Sequence, residues 1–267
     1  MASKTRSLWA EAESWLAEPS AAGSFAGNEL DGLPEPACRY LRATIAPGTP
    51  LAVSARLAMR GSIKIAGRWL PFRAREVLAP HRGFVWAARV AGGLIIGCDR
   101  YAGGQGSMDW RLFGLVPFVC AGGPDHARSA AGRCAGEATW VPTALLPHFG
   151  VTWAALDDGW LGARYRLDGR DADLRFQLDA TARVRALAFD RWGDPDHTGT
   201  WGLHRFGVEV TGHATFDGVR IPQAGRAGWY HGTDRWPDGE FFRYEITALE
   251  LVVPRGLRGE ARRRGSR

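Results

Sequence analysis

The sequence predicts a mainly β fold with a few helices, its strands paired antiparallel, and three observations carry that expectation. Apolar and polar residues alternate with a period of two through most of the chain beyond Leu51. Asp-Gly pairs punctuate that pattern where tight hairpins would turn. Helical patterns are too few, and too clustered, to serve as crossovers between parallel strands.

The N-terminus opens with a helical pattern in which Ser7 is a plausible cap and Trp9, Ala12, Trp15 and Leu16 share a face. A Gly/Pro/Ser-rich stretch follows, and residues 1–32 are expected to be this helix and a linker. The run LPEPACRYL at 33–41 reads as a second short helix, stopped by Pro47 and Gly48. Residues 33–254 are then expected as a single antiparallel β domain.

Strand-like runs follow in order at 51–61, 68–78, 84–90, 93–101 and 107–113. In the first, Val53, Ala55, Leu57 and Met59 face one way while Ser54, Arg56 and Arg60 face the other. Pro71 suggests that the second run lies at an edge or carries a bulge. The Ala-rich segment at 124–140 then opens on Pro-Asp as a helix start, and Pro142 restarts a short turn at 142–147. Six more runs complete the set, at 151–156, 160–167, 172–179, 183–192, 205–216 and 240–252, with turns at Asp157-Asp158-Gly159, Asp168-Gly169 and Asp217-Gly218. About eleven strands result. So long an antiparallel sheet must close, fold over or be covered to protect its edges.

Composition narrows the function classes. The 45% hydrophobic and 23% charged residues are those of an ordinary globular chain, and a chain of this length buries about three quarters of its unfolded surface without staples. Of the net charge of +6, the six Arg and one Glu from Arg255 to Arg267 supply +5, leaving the body near neutral. That tail reads as a disordered, solvated end, the alternative being a weak phosphate- or membrane-surface arm. Specific nucleic-acid binding is not expected. Acidic residues at Glu11, Glu13 and Glu18 interrupt any signal-peptide core, and no apolar run reaches transmembrane length, so a cytoplasmic protein with reduced thiols is expected.

No catalytic motif stands out. The cysteines at 38, 98, 120 and 134 are too far apart for a metal or redox pair. His204 and His213 fall on opposite strand faces, and no H-x-H or H-E-x-x-H occurs, so neither metal nor cofactor is expected. Gly103, Gly104 and Gly106 follow a strand but lack the Lys-Ser/Thr and helix of a phosphate loop, and read as a turn or bulge. Asp99 and Tyr101 share one strand face, able to polarise a ligand or to pair with an arginine. Arg133, Glu137 and Trp140 sit at i, i+4 and i+7 of the expected helix. They form either a clamp of helix on sheet or the polar floor of a pocket, with Glu137 paired to Arg133 beneath Trp140. Arg191-Trp192 and Trp229-Tyr230 end strand-like runs where aromatics could rim a cavity or cover a loop.

The string RCAGEATWVPTALLP from Arg133 to Pro147 resembles the R-x-x-x-E-x-x-W-x-P-x-A-L-L signature of a bacterial family of unknown function. LPEPACRYL at 33–41, DRYAGGQG at 99–106 and the Trp153 region support the resemblance, which covers about residues 30–250. It implies an architecture similar to the LolA-type lipoprotein carriers: a curved antiparallel half-barrel, unclosed, with helices covering the concave face. Those carriers hold acyl chains in an apolar hollow and are exported. The ligand-side candidates are therefore Arg133, Glu137, Trp140, Asp99, Tyr101, Trp153, Arg191 and Trp192. Three functions stay open: non-catalytic binding of a lipid-like small molecule, an enzyme with an acid/base carboxylate in the hollow, or a structural protein whose core is filled.

Overall fold

The computed structural model describes residues 23–253 apart from Asp157. The expected first helix around Trp9 and Trp15, the Arg-rich tail at 255–267 and Asp157 of one expected turn lie outside the described residues.

Thirteen strands form one antiparallel sheet among the described residues. The first meander runs β1 (Ala55–Ile65), β2 (Arg68–Ala79), β3 (Gly83–Val90), β4 (Ile95–Ala102), β5 (Gln105–Leu112) and β6 (Val116–Gly122). The second runs β7 (Thr152–Ala155), β8 (Leu161–Leu167), β9 (Arg170–Leu178), β10 (Val184–Gly193), β11 (Gly202–Phe216), β12 (Val219–Trp229) and β13 (Glu240–Leu251). The meanders join where β1 pairs with β13, from Ala55 opposite Leu251 to Ile63 opposite Phe242. β6 and β7 are left as the two free edges, so the sheet stays open.

Two strands were not read from the sequence. β6 is an edge strand with Val116, Phe118 and Val119 exposed, so no buried face imposes alternation on it. β12 carries Pro222 at an irregular register, where Gly212 faces Ala224 and His213 faces Pro222. Pro71 corrects the opposite way. β2 is an interior strand, but Pro71 stands one residue beyond the Phe72–Val90 pair at which β3 pairing starts, so its missing N–H costs no bond there.

Two helices set the shape. α1 (Glu35–Thr44) follows Pro34 and buries Ala37, Cys38, Tyr40, Leu41 and Thr44 on one face. It packs against β7 and β12, with Tyr40 tilted on Trp153 and Phe176. α2 (Pro124–Gly136) touches β3, β4, β5 and β6 of one meander and β9 and β10 of the other. These strands lie towards opposite ends of the sheet order, so the sheet must curl around α2, which lies in its concavity. Close approach needs small residues: a Cβ at Gly106 would come within 2.7 Å of the Ala127 backbone, and one at Gly136 within 2.6 Å of the Phe189 ring.

The helical segment is shorter than the sequence implies. α2 ends at Gly136 and continues as single 3-10 turns at Glu137–Trp140, Pro142–Leu145 and Pro147–Phe149. Pro142 pushes Val141 out of the helical region, to φ −127° and ψ 65°, so no helix can pass it. Residues 23–32, expected as linker, pack into the core instead: Phe25 and Leu30 are buried, and the Phe25 N–H bonds to the Thr49 carbonyl.

Side chains clasp the open sheet across one rim. The Asp168-Gly169 turn, at φ 49° and 76°, joins β8 to β9. Asp168 there accepts hydrogen bonds from the Tyr101 hydroxyl at 2.7 Å and from the Gly104 N–H at 3.0 Å. Gly103 and Gly104 form the β4–β5 turn that the sequence suggested.

Candidate functional site

Between the concave face and α2 lies a hollow of about 1010 Å³. Its wall is largely aromatic and aliphatic, with Trp86, Trp110, Phe189, Phe206, Phe242 and Val208 among the lining residues. These come from inward positions of strands in both meanders, which is why the alternation of the sequence builds a wall once the sheet curls.

Charged groups interrupt that wall in several places, Asp194, Asp196 and Arg235 among them, and the most buried cluster converges on Arg133 in the last turn of α2. Its Nε donates to Glu137 Oε1 at 2.7 Å and its Nη1 to Asp99 Oδ2 at 2.8 Å, while Nη2 lies 3.7 Å from Glu76 Oε1. The guanidinium carbon sits 4.5 Å over the Phe84 ring and 4.9 Å over Trp86. Asp99 also accepts from Trp110 Nε1 at 2.8 Å, so each of its oxygens is engaged. The expected Arg133–Glu137 pair is therefore present, but it lies under Phe84 and Trp86. Trp140 is carried elsewhere by the tightening after Gly136. Its Nε1 donates to the Pro222 carbonyl, and its ring meets Tyr244 edge-on.

Glu76 was missed by the sequence reading. It is 1% exposed, and neither of its oxygens has a hydrogen-bond donor. Burial first, then the neighbouring Glu137 and Asp99 charges, push its carboxyl well above the usual carboxylate range, against the opposing pull of Arg133. Glu76 therefore keeps its proton to higher pH than an exposed acid, and that proton can serve Glu137, whose Oε2 also lacks a donor. Burial raises Asp99 too, opposed by Arg133 and Trp110. A signal for Glu76 was legible: on β2 it alternates with Phe72, Ala74 and Leu78, a lone acid on the inward face.

The remaining candidates separate. Asp99, Arg133, Glu137, Trp140 and Arg191 line the hollow; Tyr101, Trp153 and Trp192 do not. Tyr101 belongs to the rim clasp. Trp153 packs at a tilt against Tyr40 and Phe176 and donates to the Leu145 carbonyl, beside α1. Trp192 donates to Asp125 at 2.8 Å and lies under Arg128, tying the start of α2 to β10. Trp229 and Tyr230 line the hollow.

At the mouth stand Phe118 and Val119 of β6, beside the β5–β6 turn where Phe113 and Leu115 are each 69% exposed. Among the described residues no group of three or more His, Cys, Asp or Glu is placed to hold a metal ion. All four cysteines are free thiols, and no described helix is long and apolar enough to cross a membrane.

Residues 23–241 match a family described as "Family of unknown function (DUF6544)". No curated protein matches the chain in sequence. Among solved structures, the chain is similar to a LolA superfamily protein from Nitrosomonas europaea, at 10% identity over 75% of this chain and 86% of that one, with a TM-score of 0.41. It is also similar to a DUF1329 family protein from Desulfovibrio piger, at 11% identity over 76% and 87% of the two chains, with a TM-score of 0.38.

Proposed function

We propose that this chain, which belongs to the DUF6544 family of unknown function, is a non-catalytic binder of an apolar or amphipathic small molecule held in the hollow of its sheet. The observation that carries the reading is the hollow itself, about 1010 Å³ and walled largely by aromatic and aliphatic side chains with a few polar groups among them. Ligand pockets typically span about 300–1,000 Å³ and combine apolar walls with a few convergent polar groups. A protein whose core were filled by its own side chains would leave no such space. The apolar β5–β6 turn and the exposed Phe118 and Val119 offer an apolar approach to the hollow they line.

An acid/base enzyme would need a proton-active carboxylate open to its substrate. Glu76 has the raised pKa but does not line the hollow, both oxygens of Asp99 are engaged, and Glu137 has one oxygen on Arg133 and the other buried. The geometry therefore favours binding over catalysis.

Native mass spectrometry of the full chain, purified without organic solvent, tests the reading. The expected result is a defined added mass that solvent extraction removes. A protein that is empty on purification, and that also fails to bind oleyl alcohol as followed by tryptophan fluorescence, would overturn it.

A further inference from the structure

Four arginines line the hollow; two of them, Arg133 and Arg191, each lie over two aromatic rings of its wall, and they are treated differently. Arg133 has its fork filled by the protein's own carboxylates, Glu137, Asp99 and Glu76. Arg191 on β10 has none. Its stem lies against α2 at Gly132, where a Cβ would meet Arg191 Cγ at 3.2 Å, and its Nε donates to the Ser129 carbonyl at 3.1 Å. The guanidinium carbon sits 4.8 Å over Phe206 and 5.2 Å over Trp229, two rings that also line the hollow. No hydrogen bond or ion pair reaches its two Nη atoms from any described residue.

We propose that Arg191 is the headgroup anchor of the hollow and that the ligand is a single-tailed amphiphile ending in a monoanionic carboxylate. Resting on the binding reading above, the assignment follows from three features. First, a guanidinium whose stem and Nε are fixed by α2 and whose plane is stacked on two rings is preorganised, so an arriving carboxylate gains its bonds with little ordering cost. Second, the surrounding wall is apolar, with Leu187, Phe189, Phe206, Val208 and Phe241 available to a hydrocarbon tail. Third, the charges select valence. Burial lowers Arg191, to about 10, which leaves it cationic near neutral pH, while Asp99 and Glu137 act on it only through longer-range attraction. A single negative charge complements it. A second charge would meet those two carboxylates unbalanced, which disfavours a phosphate dianion.

The test uses the full chain and three probes of one chain length, oleate, oleyl alcohol and oleylamine, titrated at mildly alkaline pH and read by calorimetry and by quenching of the hollow tryptophans. Oleate is expected to bind about tenfold or more tighter than the alcohol, the range of a charge-assisted hydrogen-bonded pair, with the ammonium weakest. Arg191→Met should abolish the preference for oleate and leave the alcohol within about threefold, because it keeps the apolar stem. Equal binding of oleate and alcohol to the unmodified protein, or a preference that survives in a folded Arg191→Met, overturns the assignment while leaving the binding reading intact. Failure of all three probes to bind overturns both. The ordering on the unmodified protein decides the matter should the variant not fold.

Discussion

Replacing Glu76 by Gln should make the protein more stable, by a margin that grows with pH. In the fold, burial and then Glu137 and Asp99 raise this carboxyl's hold on its proton, against the attraction of Arg133. The unfolded chain gives up the same proton near a pKa of about 4.3. Between that value and the raised folded one, the native state binds more protons than the unfolded state. Stability therefore falls as pH rises, by about 1.4 kcal/mol for each pH unit in the window, and levels off above the folded pKa. Below roughly pH 4 both states are protonated and the penalty vanishes. Gln keeps the shape of the neutral acid, can donate to Glu137 and does not titrate. The Gln variant and the parent should therefore match near pH 4, and the variant should lead by up to about 2.7 kcal/mol after two further units inside the window. Asp99 is also raised and adds a slope of the same sign, but to both proteins, so it cancels in the difference. Urea melts of both proteins at four pH values provide the measurement. A difference that stays constant across the series would refute a protonated Glu76.

Two further substitutions probe the same construction. Glu137→Ala leaves Arg133 with Asp99 and frees Glu76 to ionise in compensation, so it should cost about 1–3 kcal/mol, less than the roughly 3–5 expected when a buried charge loses its only partner. A urea melt checks the size, and the double variant with Glu76→Gln should be clearly more destabilised than the sum of the singles, since Gln cannot supply the missing charge. Tyr101→Phe removes the hydroxyl that clasps Asp168 across the rim and should cost about 1 kcal/mol, with faster amide exchange at the β4–β5 and β8–β9 turns.

What the sequence made legible and what it hid divide along physical lines. Strands with one buried face announced themselves, because the pleat forces alternation: β9, with Ala172, Leu174 and Phe176 buried between exposed Asp173 and Arg175, is the clearest case. β6 has no buried face and β12 breaks its register at Pro222, so neither left a periodic trace. The Arg133–Glu137 pair was legible because it needs only helical spacing. Its third partner, Asp99, and the orphan Glu76 come from other strands, 34 and 57 positions away in the sequence, and only the curl of the sheet brings them to α2. Trp140 was misplaced because regular spacing was carried past Gly136, where the helix tightens. Arg191 was singled out for its position at a strand end. Its unfilled fork is a property of the folded charge distribution that no local pattern contains.

The two arginines together explain why a binding hollow would carry so costly a cluster. Placing a guanidinium against Phe84 and Trp86 is tolerable only with compensation, and three acids around one cation overcompensate it. That excess raises the hold of Glu76 on its proton, and Arg191 packs against the same helix at Ser129 and Gly132. Arg191 is held by the Ser129 carbonyl and by Phe206 and Trp229 and is bonded to neither Asp99 nor Glu137, which keeps its Nη atoms open. Had either acid reached it directly, the fork would be filled as that of Arg133 is. The cluster therefore fills the fork of Arg133 while that of Arg191 is left as one directed, unspent pair of donors facing an apolar space, the arrangement that an amphiphile with one charged end can complete.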